Sequence, residues 1–439
     1  MSHCIKKSFL LLVSLVLISF TSNCKAETPQ VNTPVTSHAS SPFAKGADIS
    51  WLPQMEATGY VFYNDNGVAE DCFKILKDHG INSIRLRTWV NPSTDRASGH
   101  CSKEETVAMA VRAQSWGMRV MIDFHYSDSW ADPSKQVKPK AWEGLSFIQL
   151  QQALYDYTFD VMSALKTAGV TPEWVQVGNE IPGGMLYPEG SNSSNWTQLI
   201  QLINKGYDAV KAVSSASKVI LHIDKGNDNG RFRWWFDNAK ANGAKYDVIG
   251  MSYYPYWLSD SHPDYTLSIN DLGANLKDMA SRYGKEVMLV EVGGEDTKVQ
   301  NTYDMLVAVQ NKVSAVPNSS GLGVFYWEPQ GARSWSHYAL SCWGSDGRPT
   351  AALDAFTIST GLQPNKIEPV FANWNEQSQG FTINQDAAKI TLINVSGVEI
   401  CKAENTRSLS TAALAVGTYL LKVNLLNTTD SIVLKVIRP

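Results

Sequence analysis

Eight short apolar runs through the middle of the chain restrict its fold more than any other feature. They are Ala44–Ile49, Ile81–Arg87, Met118–Phe124, Trp174–Gly178, Lys218–Ile223, Val248–Ser252, Val287–Val292 and Gly323–Trp327. Each has the length and apolar content of a buried strand. Helical stretches lie between them, among them Asp71–His79, Lys103–Trp116, Phe147–Ala168 and Trp196–Val213. Eight strands alternating with helices over about 310 residues predict an α/β fold, a (β/α)8 TIM barrel over 43–361. An open doubly wound sheet is the alternative. It would carry a glycine-rich phosphate turn after the first strand, and Ala47-Asp-Ile-Ser-Trp51 is not one.

The flanks read differently. Lys6-Lys7 followed by the apolar Phe9–Phe20 has the form of a signal peptide over 1–24, too short for a stable membrane span. Cleavage after Ala26 is one reading of its end. The preferred reading makes Cys24, preceded by Thr21-Ser-Asn23, the lipid-bearing cysteine of a bacterial lipoprotein. Residues 25–42, rich in Thr, Ser and Pro, predict a flexible tether. Either way the protein is expected to leave the cytoplasm, as a cell-surface or periplasmic lipoprotein or by secretion. From 362 to 439 the pattern changes to alternating apolar and polar residues in Ala388–Ile400, Gly417–Val423 and Ser431–Ile437, with a turn at Ser396-Gly397. This predicts a small all-β, sandwich-like module. Through Leu414-Ala-Val-Gly-Thr-Tyr-Leu-Leu-Lys-Val423 it resembles accessory modules at the carboxyl ends of secreted Bacteroidetes proteins. Cys72 and Cys101 either pair or stay free and buried, and no Cys/His spacing resembles a zinc site.

Chemistry in such barrels gathers at the carboxyl ends of the strands. Strand four ends in Gln176-Val-Gly-Asn-Glu180 and strand seven in Glu291-Val. Two glutamates on two strand ends suit acid–base work on a glycosidic bond. The other ends are also polar or aromatic: Asp48 and Trp51; Arg85, Arg87 and Trp89; Asp123-Phe-His-Tyr-Ser-Asp-Ser-Trp-Ala-Asp-Pro133; Ser252-Tyr-Tyr-Pro-Tyr-Trp257; Tyr326-Trp-Glu-Pro329. Each fragment alone also fits a structural role. Their repetition at one edge points to a common site.

These stretches, with Gly46-Ala-Asp-Ile-Ser50 and Asn82-Ser-Ile-Arg-Leu-Arg-Thr-Trp-Val-Asn-Pro92, closely resemble glycoside hydrolase family 53. That family comprises the endo-β-1,4-galactanases, within the clan of retaining (β/α)8 glycosidases. The resemblance implies that Glu180 is the acid/base and Glu291 the nucleophile. It further implies a substrate-binding set of Asp48, Arg85, Trp89, Asp123, His125, Asp128, Trp130, Asn179, Tyr253, Trp257 and Trp327. Arg85, or Arg87 beside it, is expected to keep Glu291 ionised, and Tyr253 to donate a hydrogen bond to it. Asn179 is expected at the sugar 2-hydroxyl, and Trp89, Trp257 and Trp327 on sugar faces. His125 is read equally as a site hydrogen-bonder or a packing residue.

The implied activity is retaining hydrolysis of the β-1,4-galactan side chains of pectin, with a polysaccharide as partner and no cofactor required. Some family members hold calcium between the loops after strands seven and eight. Glu295, Asp296 and Asp346 are candidate ligands here, although solvated loop acids are the preferred reading. A net charge of -4 gives no reason to expect nucleic acid, and a monomer is expected. Fourteen Trp and 17 Tyr agree with sugar stacking or with an aromatic core. Two rivals stand beside this reading: a related clan member acting on mannan or β-glucan, and a non-catalytic glycan-binding barrel.

Overall fold

Eight parallel strands close into a barrel: β1 (Ala44–Asp48), β2 (Ser83–Thr88), β3 (Arg119–Phe124), β4 (Trp174–Val177), β5 (Lys218–Ile223), β6 (Val248–Tyr253), β7 (Glu286–Val292) and β8 (Gly321–Trp327). β8 returns to β1, pairing Ala47 with Tyr326 and Asp48 with Trp327. These are the eight expected runs, with ends moved by a few residues. The structure, a computed structural model, describes residues 42–93, 95, 100–258, 264–358, 372–411, 414–425 and 431–438. The expected signal peptide, the tether, Cys24 and the expected boundary at 362 lie outside the described residues.

The crossover helices are α1 (Leu52–Ala57), α2 (Cys72–Asp78), α3 (Lys103–Ser115), α4 (Phe147–Thr167), α5 (Trp196–Val213), α6 (Asn229–Ala241), α7 (Ile269–Tyr283) and α8 (Val299–Ser314). Capping boxes open α3, through Ser102 and Glu105, and α4, through Ser146 and Gln149. Each satisfies otherwise unpaired backbone donors and so fixes where the loop from the preceding strand ends. Cys72, Cys101 and Cys342 are buried and free.

Inside the barrel, side chains two residues apart on a strand share a face. The amino-terminal half of the interior is an apolar plug of Met121, Trp174, Ile220, Val248, Met288, Val290 and Phe325. Trp174 fills its centre, with Phe325 edge-on at 6.0 Å and Arg119 over its ring at 4.8 Å. On β7 the alternation breaks. Leu289 pairs with Met251 but Glu291 with the very next residue, Ser252. The extra residue of this bulge lets Glu291 turn inward although Met288 and Val290 already do so; bulges commonly re-aim a side chain in this way.

The carboxyl-terminal strands β9 (Ala372–Asn375), β10 (Gly380–Ile393), β11 (Glu399–Ser410), β12 (Gly417–Leu425) and β13 (Ser431–Arg438) form one antiparallel sheet. Phe381, Ile383, Ile390, Leu392, Leu409, Leu421, Val423 and Val436 make its core. Two of these strands depart from the expected pattern. The run Ala388–Ile400 holds the end of β10 and the start of β11, with the expected turn at Ser396-Gly397 between them, but β10 begins earlier, at Gly380, and β11 carries mostly exposed residues, so it lacks the apolar alternation by which strands are recognised.

The plug predicts unequal costs for two tryptophans. Trp174→Ala should lose about 3–5 kcal/mol in denaturant unfolding, as expected for a buried aromatic truncation. Trp257→Ala, at 66% exposure, should stay within about 0.5 kcal/mol of the wild type. Equal losses would contradict this layering.

Candidate active site

One step above the plug the inward face becomes polar. Met121 is followed on its face by Asp123, Trp174 by Gln176, Ile220 by His222, Gly250 by Ser252, Ser83 by Arg85 and Gly46 by Asp48. Arg85, only 1% exposed, is the centre of this layer. Its Nε donates to Gln176 Oε1 at 2.7 Å and Nη1 to Asp48 Oδ2 at 2.7 Å. Its Nη2 reaches Asp123 Oδ2 at 2.8 Å, Asn179 Oδ1 at 2.9 Å and Glu291 Oε1 at 2.8 Å.

Glu291 therefore sits against a guanidinium. Its second oxygen accepts from the Tyr254 hydroxyl at 2.9 Å. Burial pushes its pKa up to about 7, opposed by Arg85 and the Tyr254 bond. Asp123 goes the other way. Burial disfavours its charge, but Arg85 and then His125 outweigh that and hold it below the ordinary value.

Glu180 stands just past the end of β4, beyond Gly178, and has a left-handed backbone with φ +42°. A non-glycine residue in that region carries about 1–3 kcal/mol of strain, which the surroundings must hold in place. Three contacts do so. Gln136 Nε2 donates to the carbonyls of Asn179 at 2.9 Å and Glu180 at 3.2 Å, and the Ile181 amide donates to the His222 carbonyl at 2.9 Å. The Glu180 carboxyl accepts from Ser252 Oγ at 2.6 Å. Burial, and then the charge of Glu291, push its pKa well above the ordinary carboxylate value. Among the described residues Glu180 forms no ion pair, whereas Glu291 has Arg85. A proton entering the pair therefore belongs on Glu180.

A third acid, Glu328, follows β8. It pairs with Arg87, accepts the Trp51 amide at 3.0 Å and the Gln330 side-chain amide at 2.6 Å, and is fully buried. Burial pushes its pKa up to about 8. It anchors the backbone under a half-buried aromatic cluster. Trp51 lies 5.0 Å from Trp327, 6.1 Å from Trp130 and 6.0 Å from Tyr338, edge-on to each. Arg87 lies beneath Trp130, 4.3 Å from its ring centroid.

The expected residues divide accordingly. Arg85, Asp48, Asp123, Asn179, Glu180 and Glu291 converge, but Arg85, Asp48 and Asp123 are buried below the surface and position other groups. Arg87 serves Glu328 and not Glu291. His125 is buried, bonding Asp123 through Nε2 at 3.0 Å and accepting from Trp89 and the Ala131 amide at Nδ1. Asp128 accepts the backbone amides of Asn91 and Lys140, bracing two loops. Trp130 and Trp327 belong to the aromatic cluster, whereas Trp257 lies apart from it, edge-on to Tyr256.

Two expectations are corrected. Tyr253 is on the outward face, its hydroxyl bonded to Ser268 Oγ at 2.8 Å; the donor to Glu291 is the next residue, Tyr254. Trp89 is fully buried beneath Trp130, so its ring has no free face for a sugar. Gln176, His222, Ser252, Tyr254, Glu328 and Tyr338 were absent from the expected set. A polar residue inside an apolar strand was the available signal for Gln176 and His222. Of the calcium candidates, Asp296 is held by Arg333 and Glu295 by Lys298, and Asp346 accepts the Arg348 amide. Among the described residues no three or more His, Cys, Asp or Glu side chains are grouped to hold a metal.

Raised carboxyl pKa values make the site a cost to the fold at higher pH. The unfolded chain ionises Glu180 near the ordinary value of ~4.3, whereas the folded protein keeps it protonated further up. The folded state thus binds more protons across that window, and its stability falls as pH rises through it. Glu180→Gln lacks this liability. Its melting temperature should gain on the wild type as pH is raised from 4 to 8, and a gap independent of pH would contradict the assignment.

The sequence model of glycosyl hydrolase family 53 matches residues 44–357. The chain is 36% identical over 312 residues to an endo-β-1,4-galactanase of Bacillus subtilis, covering 65% of this chain and 70% of that protein. It is 33% identical over 318 residues to an arabinogalactan endo-β-1,4-galactanase of Thermothelomyces thermophilus, covering 67% and 90%. Among solved structures, the family 53 catalytic domain of Ignisphaera aggregans superposes with a TM-score of 0.65 at 29% identity, covering 72% of this chain and 98% of that one.

Proposed function

The chain belongs to glycosyl hydrolase family 53, and on that premise we propose that it is an exported endo-acting β-1,4-galactanase. In this reading it cleaves the galactan side chains of pectin with retention of configuration. The relatives named above support the substrate. Export is supported by the basic and then apolar opening of the sequence, and a lipid anchor by Cys24.

The observation that carries the mechanism is the asymmetry between two neighbouring carboxyls. Ser252, which bonds Glu180, is the direct cross-strand partner of Glu291, so one residue of β6 links the two acids. A separation of ~5–5.5 Å is what double displacement needs, because it leaves no room for a water between nucleophile and sugar. Glu291, oriented by Arg85 and Tyr254, attacks the anomeric carbon. Glu180 gives its proton to the departing oxygen. Once Glu291 is esterified its charge is gone, the pKa of Glu180 falls, and Glu180 takes a proton from the incoming water. The second amide hydrogen of Asn179 is left for the sugar 2-hydroxyl, since Nδ2 already donates to the Ala131 carbonyl at 2.8 Å. Trp51, Trp130, Trp327 and Tyr338 supply the apolar wall.

The test is early hydrolysis of purified galactan, with mannan and mixed-linkage glucan alongside, followed by anomeric-proton nuclear magnetic resonance. Galactan should be cut internally and release the β-anomer first. Initial α-anomer would remove the nucleophile role from Glu291, and preference for mannan or glucan would overturn the substrate. Glu291→Ala should lose activity by at least about 10⁴-fold, with azide rescuing an inverted product.

A further inference from the structure

We infer that His222 and Ser252 form a positioning pair that dictates which oxygen of Glu180 carries the catalytic proton. The inference rests on Glu180 being the acid/base.

The hydrogens can be assigned by following the donors inward from Arg85. Arg85 Nε has only a hydrogen to offer, so Gln176 must present Oε1 to it, at 2.7 Å. This fixes the amide orientation. Gln176 Nε2 then directs one hydrogen to Asp123 Oδ1 and the other to His222 Nδ1, each at 3.0 Å. The Glu180 backbone amide also points at His222 Nδ1, at 3.4 Å. With two donors aimed at it, Nδ1 is the acceptor, and the single proton of the neutral ring lies on Nε2. A charged ring has no place here: burial, and then Arg85, hold this imidazole well below its ordinary pKa. Asn179 Oδ1 also lies 3.1 Å from Nδ1, with its orientation set by Arg85 and the Ala131 carbonyl. That is one acceptor against two donors, so the assignment stands.

From Nε2 the chain runs outward. His222 Nε2–H donates to Ser252 Oγ at 2.7 Å, which turns the hydroxyl hydrogen toward Glu180 Oε1 at 2.6 Å. Oε1 is an acceptor in every protonation state, so the acid proton resides on Oε2, the oxygen left for substrate. When Oε2 gives up that proton the Ser252 bond becomes charge-assisted and stronger. The pair therefore favours release of the proton, against burial and Glu291. Glu180 also faces Asp224 after β5, Arg85 on β2, Tyr254 after β6 and Tyr338 in the loop after β8; substitution at Ser252 leaves all of these in place.

The test uses the full chain with Ser252→Ala, Ser252→Thr, His222→Gln and Glu180→Gln. Each is assayed on galactan and on aryl β-galactobiosides of graded leaving-group ability, across pH. Ser252→Ala should lose about 10- to 100-fold in kcat/KM on galactan, a part of the ~10²–10⁴ that general acid catalysis supplies. It should lose little on dinitrophenyl leaving groups, which need no proton, and its basic limb should move to higher pH. Ser252→Thr should restore both readouts. His222→Gln should follow Ser252→Ala more weakly, and serves if the alanine variant does not fold. Equal losses on all leaving groups with an unmoved basic limb would overturn the inference, leaving the pair only a packing role. A Glu180→Gln that kept its activity on galactan would instead overturn the acid/base reading itself, so the two failures are distinguishable.

Discussion

The site depends on one buried guanidinium. Arg85 binds Asp48, Asp123, Gln176, Asn179 and Glu291 from a place with almost no access to water. A buried charge is tolerable only when paired and fully hydrogen-bonded, and five partners on β1, β3, β4 with its following loop, and β7 satisfy that condition. The same partners tie the strand ends together at the level where catalysis is proposed. Three acids share this cation, so Glu291 has no guanidinium to itself. It is held in place and restrained toward its charged form, yet burial still keeps its pKa up at about 7.

Two departures from regular backbone set the carboxyls around this cation. The bulge on β7 turns Glu291 inward, and the left-handed residue after β4 lifts Glu180 over the barrel mouth. Both are local costs placed where the surrounding hydrogen bonds are dense. Below them the apolar plug and the helix ring supply the rigidity that makes such costs bearable. The strain thus sits at the end of the barrel where a substrate would bind and away from the core.

Much of this was legible in the amino-acid sequence. Strands buried on both faces write themselves as apolar runs, so all eight could be found, and the glutamates at the ends of β4 and β7 stood out against them. The rest turned on which way individual side chains point. Inward-facing Ser252 puts Tyr254, two residues on, in the site and sends Tyr253 to the helix layer. Parity held that information, but the repeated Tyr obscured it. Trp89 lies past its strand, where alternation no longer applies. The bulge at Glu291 leaves no mark in composition, and Tyr338 arrives on a loop whose path is fixed only by tertiary contacts. In the carboxyl-terminal sheet, β11 is solvated along most of its length and so lacks the apolar rhythm that reveals a strand.

One environment separates two neighbouring glutamates: Arg85 restrains Glu291 toward its charged form, while burial and the charge of Glu291 hold the proton on Glu180. The most direct test is a carbon-13 titration of the glutamate carboxyls in the free protein. Resonances are assigned by difference spectra from Glu180→Gln and Glu291→Gln. As pH rises, Glu291 should lose its proton first and Glu180 its own only at a distinctly higher pH. Replacing Arg85 should narrow or reverse that order. If Glu180 ionises first in the intact protein, the division of labour between the two acids is contradicted.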